Sequence, residues 1–290
     1  PDDPASSLSA WDELISWATA PQKQWLEQLG LRPREHEKAV LDLEDLSLDE
    51  RQRSALLRQE LGRDQEENAE PDWLALDHGR GQLPPRSAGA LEAHQLEQRW
   101  TSLSTCLSSL GEERRDAVSV GPWQAELSLR DDQLVLVHTA RPRSSQRQQL
   151  WLELLLATAA GSKLRSAVLV GRDGHRFRVL ERITPPTRDQ CTALLDQHQA
   201  WSEQYQQRCW PLPPETGWAF AVGEAKGKGW SKARDAWEGN AVLAGERRDA
   251  VQQLCFGSDL PLGDLLTEDA QALALMLHGP LLERRQEVKG

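Results

Sequence analysis

Long apolar runs are missing from this chain, and with them any segment able to cross a bilayer, which takes about 20 consecutive apolar residues. The first residues, PDDPASSLSAW, lack the basic start and apolar stretch of a secretory signal. Acidic and small, they read as a boundary within a longer protein. Cysteine is scarce: Cys106, Cys191, Cys209 and Cys255 are scattered, without a CxxC pair or a clustered histidine partner. That pattern excludes a metal ribbon and leaves reduced structural thiols in a cytosolic protein. Excess positive charge is lacking as well. Lys and Arg number 34 against 45 Asp and Glu, a formal net charge of -11. A free-standing nucleic-acid binder is disfavoured, because affinity for phosphate depends on cations that release counterions.

What is present describes a water-exposed α/β chain. Its 290 residues suffice for one sizeable core with helical appendages, and the mean hydropathy of -0.61 fits a large polar surface. Cations gather in RPRSSQR (Arg141, Arg143, Arg147) and in GRDGHRFR (Arg172, Arg176, Arg178). The chain divides into three zones. In the first, Trp11, Leu14, Ile15, Trp25, Leu26 and Leu29 recur at helical spacing, with Pro21 opening a second helix and Gly30 stopping it. The segment LDLEDLSLDERQRSALLRQELG then runs from an extended piece into a helix, with Ser47 and Glu50 as a capping box and Leu56, Leu57 and Leu61 as its apolar face. A polar connector, GRDQEENAEPDWLALDHGRGQLPPRSAG, leads into another helix from Ala90.

In the second zone, strands at Val118 to Leu129, Leu134 to His138, Ala167 to Val170 and Phe177 to Leu180 surround one apolar helix, QQLWLELLLATAAG. GRDGH reads as a type I′ hairpin turn centred on Asp173 and Gly174, which accounts for Asp173 without a metal. The third zone is helical again: TRDQCTALLDQHQAWSEQYQQRC, a proline-stiffened loop PLPPETGW, then SKARDAWEGN and TEDAQALALMLHGPLLERRQ. Residues 1–111 are read as a helical segment and linker, and 112–290 as the α/β core with its C-terminal helices, the two integrated into one domain.

The stretch DDQLVLVHTARPR poses the functional question. Asp131 and Asp132 close a turn between GPWQAELSLR and the β-prone run Leu134 to Val137. Metal-dependent nucleases use such a hairpin to set carboxylates and a lysine around magnesium. Here the second strand ends in Val137, His138 and Thr139 instead.

Several segments resemble one family. WATAPQKQWLEQLGL resembles its helix-proline-helix segment, GRGQLPPRSAG its glycine-leucine-proline-proline loop, WLELLLATAAG its tryptophan-leucine-glutamate helix, and SKARDAWEGNAVLAGE a K-A-R-x-x-(Y/W)-E-G-N signature. Together they resemble the C-terminal domain of RecC, the gamma subunit of exodeoxyribonuclease V. The resemblance implies a degenerate PD-(D/E)XK nuclease-like fold, a mixed sheet with flanking helices and no catalytic residues. Glu126, Val137 and Thr139 then occupy degenerate nuclease positions, because valine and threonine offer neither an oxygen ligand set for magnesium nor a cation beside the attacking water. Neither catalytic residues, a metal nor a cofactor is expected, and Cys209 and Cys255 stand alone, unlike the clustered ligands of the iron–sulfur nuclease of AddB. The resemblance further implies a bacterial cytoplasmic subunit of a helicase-nuclease in double-strand break repair by homologous recombination. Its partners are RecB-like and RecD-like subunits and double- and single-stranded DNA, with no membrane.

In that setting Arg141, Arg143 and Arg147 are the candidate DNA contacts beside a stiffening Pro142. Trp123 and Trp151, which flank this loop, are core residues rather than stacking platforms. Lys232, Arg234, Trp237, Glu238, Gly239 and Asn240 form either a contact to a partner subunit or DNA, or a helix end capped by Gly239 and Asn240, with Lys232 and Arg234 pairing to Glu238 or to neighbours. Trp230 and Trp237 share a helical face. Two other readings stay open: an active magnesium-dependent exonuclease using Glu126 with Asp131 or Asp132, and a scaffold that touches only protein.

Overall fold

The computed structural model describes residues 9–33, 46–65, 73–240 and 244–288. The first helices are α1 (Ala10–Thr19), α2 (Pro21–Gln28), α3 (Glu50–Gln65), α4 (Trp73–Gly79) and α5 (Arg86–Ser108). Strands β1 (Glu113–Val120), β2 (Trp123–Arg130) and β3 (Gln133–His138) come next, then α6 (Ser144–Ala159), β4 (Ser166–Asp173) and β5 (Arg176–Ile183). The remainder is α7 (Arg188–Tyr205), α8 (Pro214–Glu224), α9 (Gly229–Glu238), α10 (Ala250–Phe256), α11 (Leu262–Leu265), α12 (Glu268–Leu282) and β6 (Arg285–Glu287).

The six strands form one sheet in chain order. Every neighbouring pair is antiparallel except β3 and β4, which α6 joins as a parallel crossover. The expected mixed α/β architecture with flanking helices is therefore present. Burial on both faces explains why β4 reads as an unbroken apolar run: Ala167 and Leu169 point to one layer of helices, Val168 and Val170 to the other. Helix α6 is apolar nearly all round, with Leu150, Trp151, Leu152, Leu154, Leu155 and Leu156 fully buried between the sheet and α1 and α7. On the opposite face Leu96, Leu103 and Leu107 of α5 and Leu56 and Leu57 of α3 cover Val135, Val168, Val170 and Phe177. A third cluster, built around Trp237, Phe220, Leu266 and Ala274, joins the C-terminal helices. Trp123 and Trp151 are core residues, as expected.

Several local expectations need correction. The strand expected from Val118 to Leu129 is two strands, folded at Gly121 and Pro122, where Gly121 takes a positive φ of 56°. The β4–β5 turn is centred one residue later than expected, on Gly174 and His175, because Asp173 pairs with Arg176. Only Gly174 has a positive φ, which suits a type II′ rather than a type I′ turn. In α3 the capping box is formed by Asp49 and Gln52, each side chain accepting the other's backbone N–H, rather than by Ser47 and Glu50. The segment PLPPETGW is loop only to Pro213, since α8 starts at Pro214. Leu29, assigned to the apolar face of α2, is exposed, and so is Trp230. The extended piece expected over residues 41–45 lies outside the described residues, as do parts of the polar connector.

Candidate nucleic-acid interface

Strand β3 ends at His138, and five residues turn over the sheet end before α6 begins. Pro142 is buried in this turn and lies against Gly171 of β4, where a Cβ would sit only 2.5 Å from the proline ring. Glycine at 171 therefore lets the turn press onto the sheet, fixing the direction of its side chains. Arg141 and Arg143 point to solvent. Arg143 also caps α6, its backbone N–H donating to Gln146 Oε1 at 2.9 Å.

Arg147, grouped with them in the sequence, is placed differently. Its Nε and Nη2 donate to Glu181 at 2.8 and 2.7 Å, its Nη1 donates to the Pro142 carbonyl, and its guanidinium lies over Trp218. Arg285 of β6 donates to the same carboxylate at 2.8 and 2.9 Å and also lies over Trp218. Glu181 is only 2% exposed. Burial raises its pKa, but the hydrogen bonds and charges of Arg285 and Arg147 outweigh this and hold its carboxyl below the usual range. Arg147 is thus committed to the protein interior, and the outward cations of the turn are Arg141 and Arg143. The distant partners Glu181 and Arg285 carry no local sequence signal for this cluster.

The strand end itself is closed. Val137 is half-buried against the α3–α5 layer. Thr139 is 3% exposed; its hydroxyl donates to the Ser54 carbonyl at 2.9 Å, so Ser54 Oγ supplies the proton of their 2.8 Å contact. Helix α3 is clamped over this edge by its first turn. Arg99 donates twice to Glu50, at 3.1 and 2.9 Å, while Arg53 and Arg172 lie 2.7 and 3.1 Å from the same carboxylate. Hydrogen bonding from Arg99, foremost among these contacts, lowers the Glu50 pKa to about 2. Arg53 in turn forks Glu92 at 2.8 and 2.7 Å.

Glu126 lies apart. The β2–β3 ladder holds only Leu129↔Leu134 and Arg130↔Gln133; continued, it would set Glu126 opposite Val137, but β2 turns away to pair fully with β1. The Glu126 carboxylate lies 3.6 Å from Arg115 on an exposed surface. His138 is half-buried, and burial, with Arg58 and Arg143 nearby, lowers its pKa. Among the described residues, no group of three or more His, Cys, Asp or Glu side chains could hold a metal ion. The groups at the β3 end do not fit magnesium. They are a methyl-bearing side chain and a hydroxyl already engaged in both directions.

In the SKARDAWEGN segment, Trp237 is fully buried and its indole N–H donates to the Leu260 carbonyl at 3.1 Å. Gly239 caps α9 with a φ of 83°, its N–H donating to Asp235. Lys232, Arg234, Glu238 and Asn240 are exposed, and Lys232 and Arg234 form no ion pair with Glu238. Glu246, six residues beyond Asn240, was missed. Its carboxylate accepts from the N–H groups of Glu215 and Thr216 and from the Thr216 hydroxyl, at 2.8 to 3.1 Å, capping α8. Glu215 passes the same service on, accepting from the N–H and hydroxyl of Ser144 at the start of α6. Cys209 Sγ lies 3.6 Å from the Trp210 carbonyl, and Cys209 and Cys255, expected to stand alone, are close enough that Cys209 lowers the pKa of the Cys255 thiol.

A six-stranded mixed sheet clad in helices, with outward arginines at one sheet end, defines an α/β domain. The model of the RecC C-terminal domain matches residues 9–225, and the chain belongs to that family. A comparison with curated proteins finds no match. Membership points to a role within the multi-subunit RecBCD complex, exodeoxyribonuclease V. The matched span includes Arg141, Arg143 and the β3 end; the SKARDAWEGN segment lies beyond it.

Proposed function

We propose that this chain is a non-catalytic RecC C-terminal domain that acts by shape and charge, helping to form the DNA channel and strand-separating wall of the helicase-nuclease and docking against its RecB-like and RecD-like subunits. The observation that carries this reading is the β3 end. Where a working nuclease of the PD-(D/E)XK kind presents an acid and a lysine, this chain has Val137 and a Thr139 bolted to Ser54 beneath α3. Immediately beyond, it turns Arg141 and Arg143 outward. A nuclease-like scaffold retained for its shape accounts for both features. The negative total charge means that phosphate contact depends on such a local patch. This reading implies a bacterial cytoplasmic setting and a part in double-strand break repair.

The test measures binding to forked DNA across salt concentrations. Replacing Arg141 and Arg143 with alanine is expected to flatten the slope of log affinity against log salt by about one unit per lost phosphate contact. Arg147→Ala is expected to lower stability instead. An unchanged slope in the double variant would favour a scaffold touching only protein. Linear duplex and single-stranded DNA incubated with magnesium or manganese should stay intact, and cleavage abolished by Glu126→Ala would establish the active-exonuclease reading instead.

A further inference from the structure

The four cysteines are free, and they divide into two kinds. Cys191 is buried in the core around α6, and Cys106 packs against the cluster beneath α5. Burial raises the thiol pKa of both, which makes them poor nucleophiles. Cys209 and Cys255 are half-buried and reach solvent. Far apart in sequence, they are brought to one spot by three contacts. Gln22 of α2 donates from Nε2 to the Trp210 and Leu212 carbonyls, at 3.1 Å each, and so holds the chain beyond α7 on that helix. Helix α10, which carries Cys255 in its last turn, rests on the same α2. Trp210 and Phe256, the residues that follow the two cysteines, join one apolar cluster, Phe256 lying 6.3 Å from Trp237 between ring centroids.

The two thiols differ in chemistry. Cys209 lowers the pKa of the Cys255 thiol, whereas the nearness of Cys255, and then burial, raises that of Cys209. The thiolate is the attacking form, so Cys255 reacts first and Cys209 keeps its proton for a second step. Neither is fixed inside a long element. Cys209 sits in irregular chain between α7 and α8, and the short α10 ends one residue after Cys255, before Gly257 with a φ of 83°.

We propose that Cys209 and Cys255 form a peroxide-reactive dithiol that closes into a disulfide and staples α10 to the chain beyond α7. The Cys255 thiolate attacks one oxygen of hydrogen peroxide and the O–O bond breaks. The second oxygen leaves as water, taking up the proton that Cys255 gave to solvent, and the sulfur becomes a sulfenic acid. Cys209 then attacks that sulfur, the S–O bond breaks, and the hydroxyl leaves as a second water with the Cys209 proton. Sulfur is oxidised and peroxide reduced: two thiols and one peroxide give one disulfide and two waters. Cys209 lies inside the matched residues 9–225 and Cys255 beyond them, so the bond fastens the C-terminal helices to the family core.

The experiment treats the reduced full chain with hydrogen peroxide, alkylates the remaining thiols with iodoacetamide after unfolding, and maps the peptides by mass. One linked pair is expected, Cys209 with Cys255, lighter by two hydrogens and reopened by dithiothreitol, while Cys106 and Cys191 are alkylated. The oxidised chain should melt higher by on the order of 5 °C, because the bond constrains the unfolded chain. In Cys209→Ser the second step is blocked, and dimedone, which traps sulfenic acids, should label Cys255. Alkylation of all four cysteines after peroxide, or a bond that links other cysteines or two copies of the chain, would overturn the dithiol. So would dimedone on Cys106 or Cys191 in place of Cys255 in a folded Cys209→Ser protein. A disulfide that forms without raising the melting midpoint would overturn the staple.

Discussion

A carboxylate shut between two guanidiniums over an indole is a different object from a surface acid, and Glu181 carries the consequences at the scale of one residue. Removing one member of a buried ion cluster leaves the others charged and uncompensated, so Glu181→Ala should lower unfolding free energy by about 3–5 kcal/mol. Chemical denaturation measures this. Arg147→Ala should cost less, because Arg285 still neutralises the carboxylate. The pH dependence has a definite sign. Glu181 and Glu50 both have lowered folded pKa values, so their stabilisation is present above pH 4.5 and fades as pH falls through the folded values, about 2 for Glu50. His278 acts over a higher window. The unfolded chain takes up its proton near pH 6.5 and the folded chain only near pH 3, so stability falls as pH drops between these values. His278→Leu removes that term. Its stability advantage over the parent should grow on acidification by on the order of 1 kcal/mol per pH unit, read from denaturation midpoints at matched pH.

Among the elements, α3 shows where sequence reading succeeds and where it stops. Its apolar face was legible, since Leu56, Leu57 and Leu61 follow helical spacing and pack as expected. Its start was not, because two capping boxes overlap: Ser47 with Glu50, and Asp49 with Gln52. The tie is broken by tertiary electrostatics, for Glu50 is drawn to Arg99 and Arg172 and cannot reach back to cap its own helix. The lock between α3 and the sheet end should be testable through Thr139→Val. That change keeps the shape, abolishes the donor to Ser54 and leaves a buried carbonyl and hydroxyl short of partners, at about 1–3 kcal/mol. Helix α8 illustrates the same limit. Pro213 and Pro214 read as loop, yet Pro214 is tolerated in a first turn, and the donors behind it are met by Glu246 some thirty residues away. Burial raises the Glu246 pKa to about 7 despite these donors. Glu246→Ala should therefore destabilise by about 1–3 kcal/mol, whereas Glu246→Gln, which keeps an accepting oxygen, should retain most of the stability.

For the whole molecule, the layered α/β plan could be read from hydrophobic period alone: period two in β2, an unbroken apolar run in β4, and a helix apolar on all sides between them. The closure of the plan could not. The three residues of β6 are too few to show a period, yet they pair with β5 from Glu181 to Ile183 and bring Arg285 to the buried carboxylate. The candidate DNA turn is tied to this distant end, since Arg147 shares Glu181 with Arg285 and Ser144 is held through Glu215 by Glu246. The family match stops at residue 225, and physical closure lies beyond it. Leu281 belongs to the core around α6, and Trp237, Leu266 and Ala274 to the third cluster. A chain cut after Ala225 would expose the β5 edge, strip Glu181 of one guanidinium and open that third cluster to water. It should lose the sharp thermal transition of the full chain and associate through the bared strand, which calorimetry and size-exclusion chromatography would reveal. Replacing Arg147 and Glu181 together by apolar residues in the cut chain removes only the one buried ion pair that remains. It should not restore a cooperative transition, because the missing apolar contacts of α9, α11 and α12 span a whole cluster rather than one pair. A truncated chain that melts as sharply as the full one would show instead that the C-terminal helices are an appendage to a core already complete at residue 225.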